Sequence, residues 1–462
     1  MSRAEHLAGL TDVERTAPLL AAGGLGEAAG AKAELIARCA ARLIEAGLDG
    51  RAAAGAWFVP GRLEVLGKHT DYAGGRSVVA AASQGICIVA VPREEARIRA
   101  FALDMDDECE FAFSGELVRP VGHWSNYPMT VARRLARNFP GELHGAEMAV
   151  AGDLPPAAGM SSSSALMIAC SLVLMKINAL ADRDGYRRNI DVAEDLAGYL
   201  ATVENGQSFG DLAGDKGVGT FGGSEDHTAI LCSRAGRLSQ YSYCPVRWER
   251  AIELPAGWCF AVAASGAVAE KTGEAMDRYN RASRRAAAVA EAWREATGRS
   301  DPHIAAALGS DEPDAAAERM RHVLAGLPEG GPMSARELTT RFEHFLAESE
   351  VIVPAAGNAL TDGNLAAFGE LVDRSQKLAE TLLGNQIPQT SFLSRRARQL
   401  GAAAATGFGA GFGGSVWALV ARDRAEALLE QWRGDYAREF PEEAQAASFF
   451  LTRPGPAAFE IT

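Results

Sequence analysis

The sequence predicts an α/β protein of two domains, and three observations carry that expectation. A chain of 462 residues with 48% hydrophobic and 23% charged content is long enough to bury more than one core. Short β-rich runs are interleaved with longer helical patterns. A second α/β series can be traced beyond about residue 250, which divides the chain into a helical extension over 1–55, a first domain over 56–250 and a second over 251–462.

Each element has a local reason. The Ala-rich AKAELIARCAARLIEAGL sets Glu, Arg and Leu at helical spacing and is closed by Gly47 and Gly50, an amphipathic packing helix. From Trp57 to Phe113 the runs WFVPGRLEVLG, SVVAA, GICIVAVP and ARIRAFAL read as separate strands divided by glycine and charged turns. AEMAVAG is a further strand, followed by a Ser-rich turn and the long apolar helix SALMIACSLVLMKINAL. DVAEDLAGYLATVEN is helical, a glycine-rich stretch runs to Gly223, and TAILCS reads as a strand. In the second domain the strand CFAVAAS precedes a charged helix from Glu274 to Ala296, helical segments through Leu383, and a glycine loop before the strand-like SVWALVA.

Composition narrows the function. A net charge of −13 argues against nucleic-acid and anionic-membrane partners, which need a basic surface. The apolar stretch SVVAAASQGICIVAV is broken by Ser, Gln and Gly and falls short of the roughly 20 residues that span a bilayer. Glu5, Asp12 and Glu14 interrupt the start of the chain where a signal peptide needs a basic, then apolar, run. The seven cysteines (39, 87, 109, 170, 232, 244 and 259) form no CxxC pair, which fits the reduced cytoplasm.

Three constellations carry chemistry. GDLPPAAGMSSSSALMIA (152–169) passes from a strand through small residues into a helix; the free amides and dipole of that helix start make a phosphate cradle, and a serine hydroxyl there can reach Mg²⁺. A serine N-cap on a buried helix is the plain structural alternative. GFGAGFGGSVWALV (407–420) matches GxGxxG at Gly409, Gly411 and Gly414, but a strand-like segment follows where a dinucleotide fold needs a helix. Gly217, Gly219 and Gly222 match the same pattern, which is cheap in a chain with 49 glycines. Neither Lys68 nor Lys271 sits in a Walker A loop. The third constellation, PGRLEVLGKHTDYAGG (60–75), crowds Arg62, Lys68, His69, Asp71 and Tyr72 between glycine turns, as a strand delivering a charged loop into a pocket.

In this order and spacing, over roughly residues 57 to 420, these segments resemble the galactokinase branch of the GHMP kinases. The galactokinase signature PGRxNLxGEHxDYxGG is matched at Pro60, Gly61, Arg62, Gly67, His69, Asp71, Tyr72, Gly74 and Gly75. The resemblance implies a two-domain fold with its active site in the inter-domain cleft, ATP and Mg²⁺ as cofactors, and phosphorylation of the C1 hydroxyl of galactose or a galacto-configured sugar. It assigns Gly159, Met160, Ser161, Ser162, Ser163, Ser164, Gly411 and Gly413 to ATP, and Ser163 and Glu204, in TVENG, to the metal. Ser162 is a near competitor for that metal. GGSEDHTAIL makes Asp226 the base, beside Arg62, with Asp211 and Asp215 as competitors. His69, Asp71, Tyr72 and Tyr279, the last in SGAVAEKTGEAMDRYNR, would border the sugar.

Lys68 departs from the family glutamate that accepts a hydrogen bond from the sugar's C6 hydroxyl. Lysine donates and cannot accept, which brings galacturonate or a pentose such as arabinose into play beside galactose; a related kinase for N-acetylgalactosamine or another small alcohol is a further alternative. Two readings of another class stand beside the kinase: a non-catalytic sugar and ATP sensor, and a dinucleotide-dependent oxidoreductase resting on the GxGxxG matches.

Overall fold

The computed structural model describes residues 5–120, 122–155, 158–267, 274–310, 312–328 and 330–461. Residues 268–273 of the segment leading to Tyr279 and residues 156–157 of the Ser-rich turn lie outside this range. Strands β1 (Glu5–His6), β2 (Ala53–Leu66), β3 (Arg76–Arg93), β4 (Arg97–Ala102), β5 (Asp107–Ala112), β6 (Gly145–Gly152), β7 (Arg237–Ser242) and β8 (Arg247–Glu253) belong to one sheet. Its main path runs β1-β2-β3-β6-β4-β5, and β7 joins β3 with β8 beyond it. Neighbours are antiparallel except β4 and β6. Strands β9 (Trp258–Ala264), β10 (Ala404–Phe408), β11 (Ser415–Ala421) and β12 (Ser448–Thr452) form a second antiparallel sheet, ordered β10-β11-β9-β12.

Two expectations are corrected. SVVAA and GICIVAVP are one continuous strand, β3, which pairs with β7 over Arg76–Val79 and with β6 over Ile86–Arg93. Different partners take its two halves, so the Ser83-Gln84-Gly85 break is not a turn. Gly85 is there for close approach: a Cβ on it would lie 2.5 Å from the Val59 carbonyl oxygen. TAILCS lies in a helix, Glu225–Cys232; a short apolar run carries no period of its own, and Glu225 and Asp226 in the first turn favour a helix N-terminus. The last strand, β13 (Phe459–Ile461), leaves the second unit and pairs with β2, Phe459 opposite Phe58 and Ile461 opposite Ala56.

The first sheet is covered on both faces. The helix Ser162–Ile177 packs Ile168, Val173 and Leu174 against Ile88, Met148 and Val59. The N-terminal helix Ala29–Glu45 covers Phe58, Val89, Ala149 and Ala151 from the other side. A third cluster joins the two sheets: Leu63, Val65 and Val78 meet Phe260, Leu419 and Trp417, and the Trp417 indole donates to the Glu64 carbonyl oxygen at 3.0 Å. Each such fully buried Leu or Phe contributes about 1.5–3 kcal/mol, so the cleft above this shared core has a firm floor. Among the described residues no helix is long and apolar enough to cross a membrane.

Candidate active site

A cavity of 640 Å³ opens above that floor. Two glycine turns face each other across one part of it. Gly159 and Ser161 both take positive φ, 68° and 61°, which turns the chain so that Ser162 can open the helix to Ile177. The first amides of such a helix have no intrahelical acceptor. Ser161 Oγ is buried without a partner among the described residues, and an oxyanion would satisfy it. The opposing turn, 408–414, approaches closely: a Cβ on Gly409 would lie 2.9 Å from the Gly159 carbonyl oxygen, and one on Gly411 would lie 2.3 Å from that of Asn385. Ser415 Oγ ties the two turns by donating to the Ala158 carbonyl oxygen at 2.6 Å. This is a cradle that a polyphosphate fits and a side chain would fill. A strand, β11, follows the 408–414 turn, so the dinucleotide reading has no helix to rest on.

Beyond the cradle the wall turns apolar, with Met105, Trp124, Tyr127, Val150 and Leu154. This apolar, partly aromatic lining suits a heteroaromatic base, and the sequence reading missed it. The signal was present: WSNYP places two aromatics at the start of the helix Asn126–Asn138.

At the other end Arg62, delivered by β2, organises the carboxylates. Its Nε and Nη2 both donate to Asp226 Oδ1 at 2.7 Å, its Nη1 donates to the Gly159 carbonyl oxygen at 3.2 Å, and Glu225 Oε1 lies 3.6 Å from Nε. Burial alone would lower the guanidinium's pKa, but Asp226, Glu225 and Glu64 outweigh it and hold the charge more firmly than in water. Ser164 Oγ donates to Glu204 Oε2 at 2.8 Å and to Asp226 Oδ2 at 3.4 Å, joining the ends of two helices. Asp71 accepts the Glu225 amide at 3.1 Å, and burial raises its pKa. His69, at φ 57°, contacts the Tyr72 hydroxyl at 2.9 Å and the Ala410 carbonyl oxygen at 3.0 Å. Its ring packs on Tyr279 with centroids 5.3 Å apart. Asn280, next to Tyr279, holds the glycine stretch by accepting from the Phe221 amide and donating to the Gly219 carbonyl oxygen.

The structure therefore gathers Arg62, His69, Asp71, Tyr72, Gly159, Ser161, Ser162, Ser163, Glu204, Asp226, Tyr279, Gly411 and Gly413 around one cavity. Three of the expected residues do not line it. Lys68 is fully buried with its Nζ on Ser375 Oγ at 3.0 Å; that hydroxyl in turn donates to Glu348 Oε1, so the ammonium serves the second domain's packing. Met160 sits in the inter-sheet core, and only its carbonyl oxygen works near the site, accepting from the Arg62 amide at 3.0 Å. Ser164 faces Glu204 and Asp226 from behind. Nor do the rival aspartates compete for the cavity: Asp215 pairs with Arg133 at 2.7 Å, and Asp211 lies on the surface near Arg188. Glu64 and Glu225, both lining the cavity, were not foreseen.

For Mg²⁺, the donors fit the hard-cation rule only in part from the protein: Glu204 and a serine hydroxyl offer oxygen, and among the described residues no group of three or more His, Cys, Asp or Glu is placed to hold a metal ion. Mg²⁺ commonly completes its shell with substrate phosphates and water.

The Galactokinase galactose-binding signature matches residues 49–92, the GHMP kinases N terminal domain 126–214, and the GHMP kinases C terminal 356–438. A galactokinase of Roseiflexus sp. is 29% identical over 385 residues, spanning 82% of this chain and 86% of its own. One from Exiguobacterium sibiricum is 25% identical over 417 residues, spanning 88% and 93%. Among solved structures, Lactococcus lactis galactokinase complexed with galactose superposes with a TM-score of 0.70 at 22% identity, covering 88% of this chain and 95% of its own. Methanococcus jannaschii mevalonate kinase superposes at 0.52 and 14%, covering 86% and 98%. These last two likenesses are of fold.

Proposed function

We propose, for a chain that belongs to the galactokinase branch of the GHMP kinases, that the cleft transfers the γ-phosphoryl group of ATP to the C1 hydroxyl of galactose or a galacto-configured sugar. The observation that carries this is the Arg62–Asp226 pair, 2.7 Å apart, standing between a phosphate cradle and a ring of sugar-sized polar groups.

Such transfer is mostly positioning and charge neutralisation. Gly159 to Ser163 receive the polyphosphate on backbone amides, and the Trp124–Tyr127 wall takes the base. Asp71, His69, Tyr72 and Tyr279 orient the sugar so that its C1 hydroxyl meets Asp226 Oδ2. Asp226 takes that proton as the oxygen bonds to the γ-phosphorus and the bond to ADP breaks. Arg62 keeps Asp226 ionised and offsets charge on the transferring group. His69 is a neutral contact, since burial holds its pKa near about 4. Glu204, with Ser163 or Ser162, would hold Mg²⁺, which supplies neutralisation of the phosphate charge. The seven unpaired cysteine thiols suit a cytoplasmic setting.

The test is ATP turnover with galactose for the wild type and Asp226→Asn. The amide cannot take a proton, so kcat is expected to fall at least ~10³-fold while ATP and galactose affinities stay within a few-fold. Turnover that survives the change would give the base to another group.

A further inference from the structure

Two carboxyls on the floor of the cleft take no part in that chemistry. Glu64 lies two residues beyond Arg62 on β2, on the same face of the strand. It is 3% exposed and lines the cavity. Among the described residues no nitrogen or hydroxyl reaches its Oε1; its side-chain hydrogen bond is with another carboxyl, that of Glu225, which is 5% exposed and lines the same wall.

The nearby cations do not supply that donor. Arg62 donates to Asp226 and the Gly159 carbonyl oxygen, with Glu225 Oε1 3.6 Å from its Nε, and Lys68 donates to Ser375. A buried carboxylate oxygen left without a donor is costly, and such groups persist where something else supplies the donor. Burial pushes both carboxyls toward their protonated forms, and Glu64 raises Glu225 further; the geometry leaves Glu64 Oε1 as an open acceptor on the cavity side. Against the signature PGRxNLxGEHxDYxGG, position 64 has exchanged asparagine for glutamate and position 68 glutamate for lysine. The carboxylate has moved to a place that faces the cleft, while the lysine turns away from it.

We propose that Glu64, backed by Glu225, grips a substituent of the sugar that donates hydrogen bonds, a hydroxyl or an ammonium, and rejects sugars carrying a carboxylate there. Lys68 then has no part in sugar choice, and galacturonate is the wrong substrate. An anionic group set against the pair would meet like charge in a desolvated pocket, a stronger discriminator than a missing contact.

The inference rests on the sugar-kinase reading, and the experiment separates the two. Galactose, 6-amino-6-deoxygalactose and galacturonate, which differ only at C6, are compared by ATP turnover and, without ATP, by the shift each gives in Tm, for wild type, Glu64→Gln and Glu225→Gln. Wild type is expected to use galacturonate at least ~100-fold less well in kcat/KM than galactose or 6-amino-6-deoxygalactose. Either amide variant should narrow that gap at least ~10-fold, chiefly through KM, and let galacturonate raise Tm. Galacturonate turning over or binding as well as galactose in wild type, a gap unmoved in both variants, or no sugar raising Tm would overturn the proposal. Sugars that bind in the stated order without turnover would sink the kinase reading and leave this one standing.

Discussion

His69 shows how much one residue of the loop is asked to do. It takes a left-handed backbone, packs its ring on Tyr279, and carries the Arg341 guanidinium on its carbonyl oxygen. Burial lowers its pKa to about 4, and the nearby charges of Arg341, Arg62 and Lys68 oppose protonation further. The unfolded chain binds a proton at this ring below about pH 6.5 while the folded one waits until about 4. Its contribution is therefore complete above 6.5 and is lost as pH falls toward 4. At pH 5 this amounts to about 2 kcal/mol. Urea unfolding at pH 7.5 and pH 5 should thus show the wild type losing that much more than His69→Asn, the raised pKa values of Asp71, Glu64 and Glu225 being common to both. Equal losses would mean the ring is not held neutral. At this scale the sequence identified residue types well and orientations poorly. Lys68 was visible as a departure, but nothing in a string of letters says that its stem runs toward Ser375. Glu64 went unnoticed because a charged residue in a strand pattern reads as a solvated face until its burial is known.

Among the elements, the glycine stretch that precedes the helix Glu225–Cys232 sets the sugar end of the site. Gly223 lies against the loop that carries Asp71: a Cβ there would come within 2.4 Å of Asp71 Oδ2 and 2.7 Å of the Tyr72 amide. Gly223→Ala must push that loop. We expect KM for the sugar to rise at least ~10-fold with KM for ATP changed by less than ~3-fold, since an ångström of misplacement is costly only for the group displaced. Steady-state kinetics with each substrate varied will read this split, and parallel rises in both constants would locate the damage elsewhere. The long helices and the strand before the Ser-rich turn were legible because their periodicity or their capping glycines are local. The β3 strand and the Glu225 helix were not, because partner strands decide the first and tertiary placement the second.

Over the whole molecule the N-terminal segment is part of the fold's cover. Its helix Ala29–Glu45 shields Phe58, Val89, Phe101 and Ala149, and the buried Lys32 pairs with Asp153 at the entry to the phosphate turn. Asp153 also accepts the Gly85 amide at 2.8 Å. Removing residues 5–52 exposes several large apolar groups at about 1.5–3 kcal/mol each, comparable with a typical total stability of about 5–15 kcal/mol. Calorimetry of the shortened chain should show no cooperative transition, or one lowered by more than ~10 °C; an unchanged Tm would make the segment an appendage. The sequence offered a packing helix here, and what it packed on became visible only once both faces of the sheet were known to be apolar.

The edge of β2 has a further consequence, one of timing. Residues 53 and 54 pair with β1, and residues 56 to 58 pair with β13, whose partners lie about 400 positions further along. On a ribosome moving at roughly 5–20 residues per second, the strand that bears Arg62 stays open at that edge for roughly 20–80 s. An open strand edge invites pairing with other nascent chains. A product stalled before residue 459 would therefore contain every residue of the cleft and still be the species that quality control has most reason to remove.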